Sequence, residues 1–226
     1  MSRDNLMLQI HLVQDEILLM GSLVEQATMR SVEALKNRDQ KIAHEVYQSD
    51  RAINEKRYAI ENSVLILIAT QQPLAHDLRL LAALLEVSAE IERMGDYAKG
   101  IAKVVVKLDD FDIPIPFKDI ETMANLALSM LHRSLSAFVA EDAVTAKAIP
   151  AEDDKVDEVY NKILRYLVNM MIEKPQIIDH ANLLMWVAHN LERMADRVSN
   201  ICERTIFVTT GELMEIESKK KKDQKI

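Results

Sequence analysis

Apolar residues recur along this chain at helical spacing with few interruptions. From about Asp4 to Lys36 they fall at Leu8, Leu12, Ile17, Met20, Leu23, Val24, Ala27, Val32 and Leu35. Asn37-Arg38-Asp39 breaks the pattern, and Asp39 is placed to cap a second helix. That helix runs to about Gln71 through Ile42, Val46, Ile53, Ile60 and Leu65. Gln72-Pro73 ends it, and Pro73 is expected in the first turn of a third helix. The third helix carries Leu74, Leu81, Leu84, Ile91, Met94 and Ile101 and fades near Lys107. The segment 108–116 holds two prolines and three aspartates and cannot continue a helix. Beyond it the plan repeats. A helix spans about Lys118 to Val139, and a break follows at Ala140-Glu141-Asp142. A fifth helix begins near Ala143, with Pro150 dividing or kinking its first part. Glu173-Lys174-Pro175 makes the next turn, and a last helix runs from about Ile177 to Thr209, ended near Gly211.

The pattern predicts an all-α chain of two tandem, pseudo-symmetric, elongated three-helix bundles, with six long helices in total. The first bundle is assigned to residues 1–112, the second to 113–216, and a basic tail, expected to be solvated and disordered, to 217–226. Composition agrees: 226 residues contain only 4 Gly and 5 Pro, the usage of long helices joined by short turns. Hydrophobic residues make up 49% and aromatics 4%, so the core must be aliphatic and methionine-rich. The net charge of −8 argues against nucleic-acid binding, which needs a basic face. The single cysteine, Cys202, excludes an intrachain disulfide and a thiolate-rich zinc site, and its apolar setting predicts a buried, inert thiol. The first residues show no basic-then-apolar signal peptide, and the longest uninterrupted apolar run, 64–69, is too short to span a bilayer. A cytoplasmic protein is expected, meeting a membrane only through a partner.

Candidate chemistry lies in a duplicated motif. Ile91-Glu92-Arg93-Met94-Gly95-Asp96 returns as Leu191-Glu192-Arg193-Met194-Ala195-Asp196. Each copy sets a Glu and an Asp one helical turn apart on one face. In an antiparallel hairpin, residues equidistant from the turn lie level. Reflected through Pro73, the first motif faces Asp50 and Asn54; reflected through Pro175, the second faces Asp153 and Asp157. Several carboxylates on one patch raise one another's pKa unless positive charge sits among them. A hard cation bound by carboxylate oxygens would supply it: iron, manganese, magnesium, calcium or zinc. Salt bridges from Arg93, Arg193 and Lys155 are the plainer alternative. Asn54 leaves the first patch poorer by one charge.

A carboxylate-bridged metalloenzyme also enters consideration. Di-iron helical bundles use Glu-x-x-His, however, whereas His189-Asn190-Leu191-Glu192 has the reverse order, and Ala89 stands at the equivalent of His189. No glycine-rich phosphate loop is present, and no nucleophile–His–acid set declares itself. A metal-free helical interaction protein with solvated acids is the third alternative.

The duplicated Glu-Arg-Met-Gly/Ala-Asp motif, the opposing Asp-x-x-x-Asn/Asp pairs and Gln71-Gln72-Pro73-Leu74-Ala75-His76-Asp77-Leu78-Arg79 together resemble the PhoU family over about residues 4–210. The resemblance implies two similar three-helix bundles, frequent dimerisation, and multinuclear metal clusters, most often iron. It places metal ligands at Asp50, Glu92 and Asp96 and at Asp153, Asp157, Glu192 and Asp196. It implies no catalytic residues. The implied role is regulatory: a metal-binding adaptor that represses a phosphate ABC transporter and phosphate-starvation signalling when phosphate is plentiful. The implied partners are the transporter ATPase, a phosphate-sensing membrane histidine kinase and a second copy of the chain. The second repeat departs at Pro175-Gln176-Ile177-Ile178-Asp179-His180, which lacks Asp-Leu-Arg, so the two repeats are not expected to recognise the same partner.

Overall fold

The computed structural model describes residues 3–108 and 113–216; most of the acidic segment between the halves, 109–112, and the basic tail, 217–226, lie outside the described residues. Among the described residues there are six long helices and no strand. The first half folds as α1 (Arg3–Asn37), α2 (Gln40–Gln71) and α3 (His76–Lys107). The second folds as α4 (Phe117–Val139), the short α5 (Ala143–Ala148), α6 (Asp153–Glu173) and α7 (Ile178–Thr210). A 3₁₀ segment, Ile149–Glu152, joins α5 to α6, so Pro150 does interrupt the fifth predicted helix. At ~1.5 Å per residue, the 35 residues of α1 span about 50 Å.

Local chemistry explains the helix ends. Asp39 accepts from the backbone N–H groups of Lys41 and Ile42 at 2.9 and 3.0 Å and starts α2. Asp142 does the same for Val144 and Thr145, at 3.0 Å each, and starts α5. Gly211, at φ 80°, closes α7 in the left-handed region that glycine adopts without penalty. The turn at Pro73 differs from expectation. Gln72 ends α2 at φ 49° and Ala75 stands at φ 47°, so Pro73 belongs to an irregular turn and α3 begins only at His76. A left-handed residue at the end of α2 redirects the chain, and three more residues are needed before helix resumes. At Pro175, by contrast, a 3₁₀ turn, Pro175–Ile177, runs directly into α7.

The repeats share one hydrophobic core. Helices α3 and α7 form its centre: α3 packs on α1, α2 and α7, and α7 packs on α3, α4 and α6. Met94 and Met194, the methionines of the duplicated motif, are fully buried, and Met194 reaches across to the first repeat, where Thr28 Oγ1 lies 3.7 Å from its Sδ. Across the α3–α7 seam Glu86 meets Arg204 at 3.2 Å, Glu90 meets Asn200 at 3.0 Å, and Tyr97 meets Arg193 at 5.0 Å from the ring centroid. Each step up α3 is a step down α7, so the seam is antiparallel and centred at the level of Gly95 and Ala195. The turn sequence Asp77-Leu78-Arg79 works inside the chain. Arg79 donates to the carbonyl of Val208 at 3.2 Å, and neighbouring His76 Nε2 meets Glu141 Oε2 at 2.7 Å, which ties the two repeats together. By length and hydropathy α1 is the one described helix that would suffice to cross a membrane, yet Ile10, Ile17, Met20 and Val24 are fully buried among its neighbours. Past Gly211 the chain turns back along α7, and the Ile216 amide donates to Glu203 Oε1 at 2.8 Å.

One core position explains a difference between the motif copies. A methyl group at Gly95 would lie 2.9 Å from Ile53 Cδ1 and 3.3 Å from its Cγ2. The second repeat holds Ala195 and Val156 at the corresponding positions, both fully buried, so one carbon has moved from helix to helix at constant volume. Gly95→Ala is therefore expected to couple to Ile53→Val. Urea unfolding of the single and double variants should give a double variant more stable than additivity predicts by about 1 kcal/mol. Strict additivity would show that the volumes do not trade.

Candidate functional site

The first acidic patch lies between α2 and α3, as reflection through the turn predicts. Asp50, on α2, is buried at 6% exposure. Its Oδ2 accepts from Asn54 Nδ2 at 3.0 Å and from Lys99 Nζ, on α3, at 2.5 Å. Lys99 Nζ also stands 3.8 Å from Asp96 Oδ1 and 5.3 Å from the Tyr47 ring centroid. Hydrogen bonding to Asp50 pushes the Lys99 ammonium above its ordinary pKa. Glu92 is half-buried and meets Arg57 Nη1 at 3.4 Å. Burial first, and then Asp96, raise the Glu92 pKa; Arg57 opposes them, and Asp50 adds from across the groove. Asp50, Glu92 and Asp96 thus share one electrostatic site, bridged by lysine and arginine. Asn54 contributes a hydrogen-bond donor to Asp50, which an aspartate in its place would repel.

Two of the expected cations are engaged chiefly elsewhere, although Arg93 still lowers the Glu92 pKa as the weakest of its influences. Arg93 turns to Glu90 at 2.8 Å, and Arg193 lies over Tyr97. Both serve the α3–α7 seam. Lys99 and Arg57 do the neutralising, and the reflection that found Asp50 would have found them, since both lie within a turn of the motif's level. The seam itself holds a further polar cluster that sequence reasoning missed. Buried Glu90 bonds Arg93 and Asn200 and lies 3.4 Å from Arg197 Nη1, while Arg197 Nε donates to Tyr97 Oη at 3.2 Å. Nothing in the periodicity marked Glu90, because the α3–α7 pairing that buries it is long-range.

The second patch lies between α6 and α7. Asp153 and Asp157 are buried at 6% and 8% exposure. The Glu192 side chain is 14% exposed and lies 3.6 Å from His189 Nδ1, while Asp196 is exposed. The Tyr160 and His189 rings stand 6.4 Å apart, which fixes the level of α6 against α7. One turn from Tyr160 is Asp157, and one turn from His189 is Glu192, so the acids of both helices occupy neighbouring heights. In the two motif copies the Glu is half-buried and the Asp exposed. At the repeat equivalents of Lys99 and Arg57 stand Ser199 and Tyr160, neither of them cationic. Among the described residues, no three His, Cys, Asp or Glu side chains stand close enough together to ligate one ion. Cys202 is buried, and desolvation pushes its thiol up to about 12, as the apolar setting predicts.

The raised Glu92 pKa has a definite sign in stability. A carboxyl whose folded pKa exceeds its unfolded value destabilises the fold when ionised, and the penalty disappears as pH falls through the carboxylate range. Glu92→Gln is therefore expected to be more stable than the parent near neutral pH and to lose that advantage in mild acid. Denaturant unfolding at the two pH values checks this; a loss of stability at neutral pH would mean that the Arg57 contact outweighs burial.

Similarity to known proteins follows the same two halves. The PhoU domain model matches residues 17–105 and again residues 120–205, once on each three-helix set. The phosphate-specific transport system accessory protein PhoU homolog of Streptococcus pneumoniae is 32% identical over 214 residues, spanning 95% of this chain and 99% of that protein. The phosphate-specific transport system accessory protein PhoU of Escherichia coli is 32% identical over 205 residues, spanning 90% of this chain and 85% of that one. The crystal structure of the phosphate transport system regulatory protein PhoU from Streptococcus pneumoniae matches with a TM-score of 0.86 at 31% identity, over 92% of this chain and 99% of that one. That of PhoU from Pseudomonas aeruginosa matches at 0.84 and 30%, over 90% and 98%. Duplicated acid motifs on antiparallel hairpins, a duplicated domain match and full-length relatives agree: the chain belongs to the PhoU family.

Proposed function

We propose that this chain is an accessory regulator of phosphate-specific transport, acting as a helical adaptor and not as an enzyme. The observation that carries the proposal is similarity in sequence and in fold, over nearly the whole chain, to relatives named for that role. In this proposal the protein works in the cytoplasm, as a homodimer, against the transporter ATPase and a phosphate-sensing histidine kinase. It represses uptake and starvation signalling when phosphate is plentiful. Deleting the chain in its own cell should raise phosphate uptake and starvation-gene expression in phosphate-rich medium. Unchanged repression would reject the proposal.

A metal-dependent form of this role is best placed on the second repeat. Carboxylate oxygens suit a hard cation such as iron, and Asp153, Asp157, Glu192 and Asp196 would have to draw closer together than they stand here to hold it. Such an ion would supply positive charge between α6 and α7. The first set fits less well as it stands: Lys99 and Arg57 already bring positive charge to Asp50, Asp96 and Glu92, and Asn54 replaces one acid. Metal analysis of protein purified without chelator should show that Glu192→Gln with Asp196→Asn lowers metal content more than Glu92→Gln with Asp96→Asn does. Lys99→Ser should increase metal uptake by the first patch. Metal-free parent protein would overturn the metal assignment, and equal loss from the two double variants would overturn the ranking of the second patch over the first; both leave the adaptor role standing.

A further inference from the structure

Trp186 is the only tryptophan of the chain, and it is 57% exposed on α7. Its indole forms a wall of two grooves. One, of about 510 Å³, lies between α6 and α7 beside Tyr160 and His189. The other, of about 330 Å³, lies between α3 and α7, with Val104 and Leu183 among its lining and Lys103 and Lys107 on its far side. The same two lysines line a third groove, between α2 and α3, beside Tyr47 and His44. One face of the molecule therefore presents three adjoining grooves, joined by an exposed indole and a pair of lysines one turn apart.

The lysines are set apart by their surroundings. Lys99, one turn earlier on α3, is closed off by Asp50 and Asp96. Lys103 lies 5.5 Å from the Tyr47 ring centroid, and among the described residues neither Lys103 nor Lys107 makes an ion pair. In a chain of net charge −8 this is a local reversal of sign. An exposed indole beside an apolar groove is the usual composition of a binding hot spot, and the ammonium pair selects the charge of what binds.

We propose that the α3–α7 groove docks an acidic segment of a partner protein, one bulky apolar side chain packing on Trp186 and flanking carboxylates meeting Lys103 and Lys107. A concave groove suits a narrow segment better than a flat surface. The groove is closed at one end by Gly100, where an added methyl would fall 2.9 Å from Asn190 Nδ2. The proposal draws on the adaptor role only in requiring a protein partner, and it makes no use of the acidic patches.

Trp186 reports on its own site, because no other tryptophan contributes fluorescence. The probe is a synthetic peptide alternating Leu with Asp and Glu, compared with its Lys counterpart and with vesicles containing phosphatidylglycerol. The full chain should give a saturable blue shift with the acidic peptide and none with the basic one. Lys103→Glu with Lys107→Glu should weaken the acidic peptide roughly tenfold or more and lessen the salt dependence. Trp186→Ala, followed by calorimetry with its helical content checked by circular dichroism, should lose binding while staying folded. No saturable response at millimolar acidic peptide, an equal response in the charge-reversed variant, or a response to vesicles alone would overturn the proposal.

Discussion

Helices α3 and α7 press together along most of their length, and that contact decides what every other face of the molecule can do. Each of the two helices has three duties. Ile91, Met94 and Ala98 on α3, like Leu191, Met194 and Val198 on α7, go into the shared core, fully buried. Glu90 and Tyr97, with Arg193, Arg197 and Asn200, go to the seam. The motif acids are left to face α2 and α6. A helix with so many buried neighbours has little solvated surface, so the Glu of each pair is half-buried while the Asp one turn on still meets water. Glu92 and Glu192 are partly desolvated because the seam and the core have used the other faces.

Partial desolvation is why their charge must be answered, and the first repeat answers it internally. A lysine ammonium between Asp50 and Asp96, and a guanidinium beside Glu92, do within one chain what a bound cation would otherwise do. Duplication of the three-helix unit allows the two copies to diverge in this respect. A patch that carries its own counter-charge is fixed and independent of conditions. A patch that draws counter-charge from outside responds to what the surroundings supply.

Much of the fold was legible in the sequence because helix periodicity and turn chemistry are local. Asp39, Asp142 and Gly211 ended or began helices where their side chains or backbone freedom dictated. The failure at Pro73 is also local: a proline fixes its own φ, but the left-handed Gln72 and Ala75 beside it are not written in residue type. Facing of α2 on α3 followed from hairpin geometry alone. The identity of the counter-charges did not, because an arginine next to an acid in sequence, such as Arg93, points a hundred degrees away on the helix. What lay beyond reach was the pairing of repeats. Glu90, Arg197 and Tyr97 gain their meaning only when α3 meets α7, a hundred residues apart. The bond from Arg79 of the first turn to the Val208 carbonyl was equally out of reach, since it joins residues of different repeats.

The reversal of the chain after Gly211 bears on how the protein is handled. Ile216 is held at Glu203, which lies on the same stripe of α7 as Glu192 and Asp196. A segment joined directly to Ile216 would therefore begin beside that stripe and not at the end of α7. A polyhistidine tag joined there would start with its imidazoles beside the stripe that carries Glu203, Asp196 and Glu192. The same tag before α1 starts from another helix and another face.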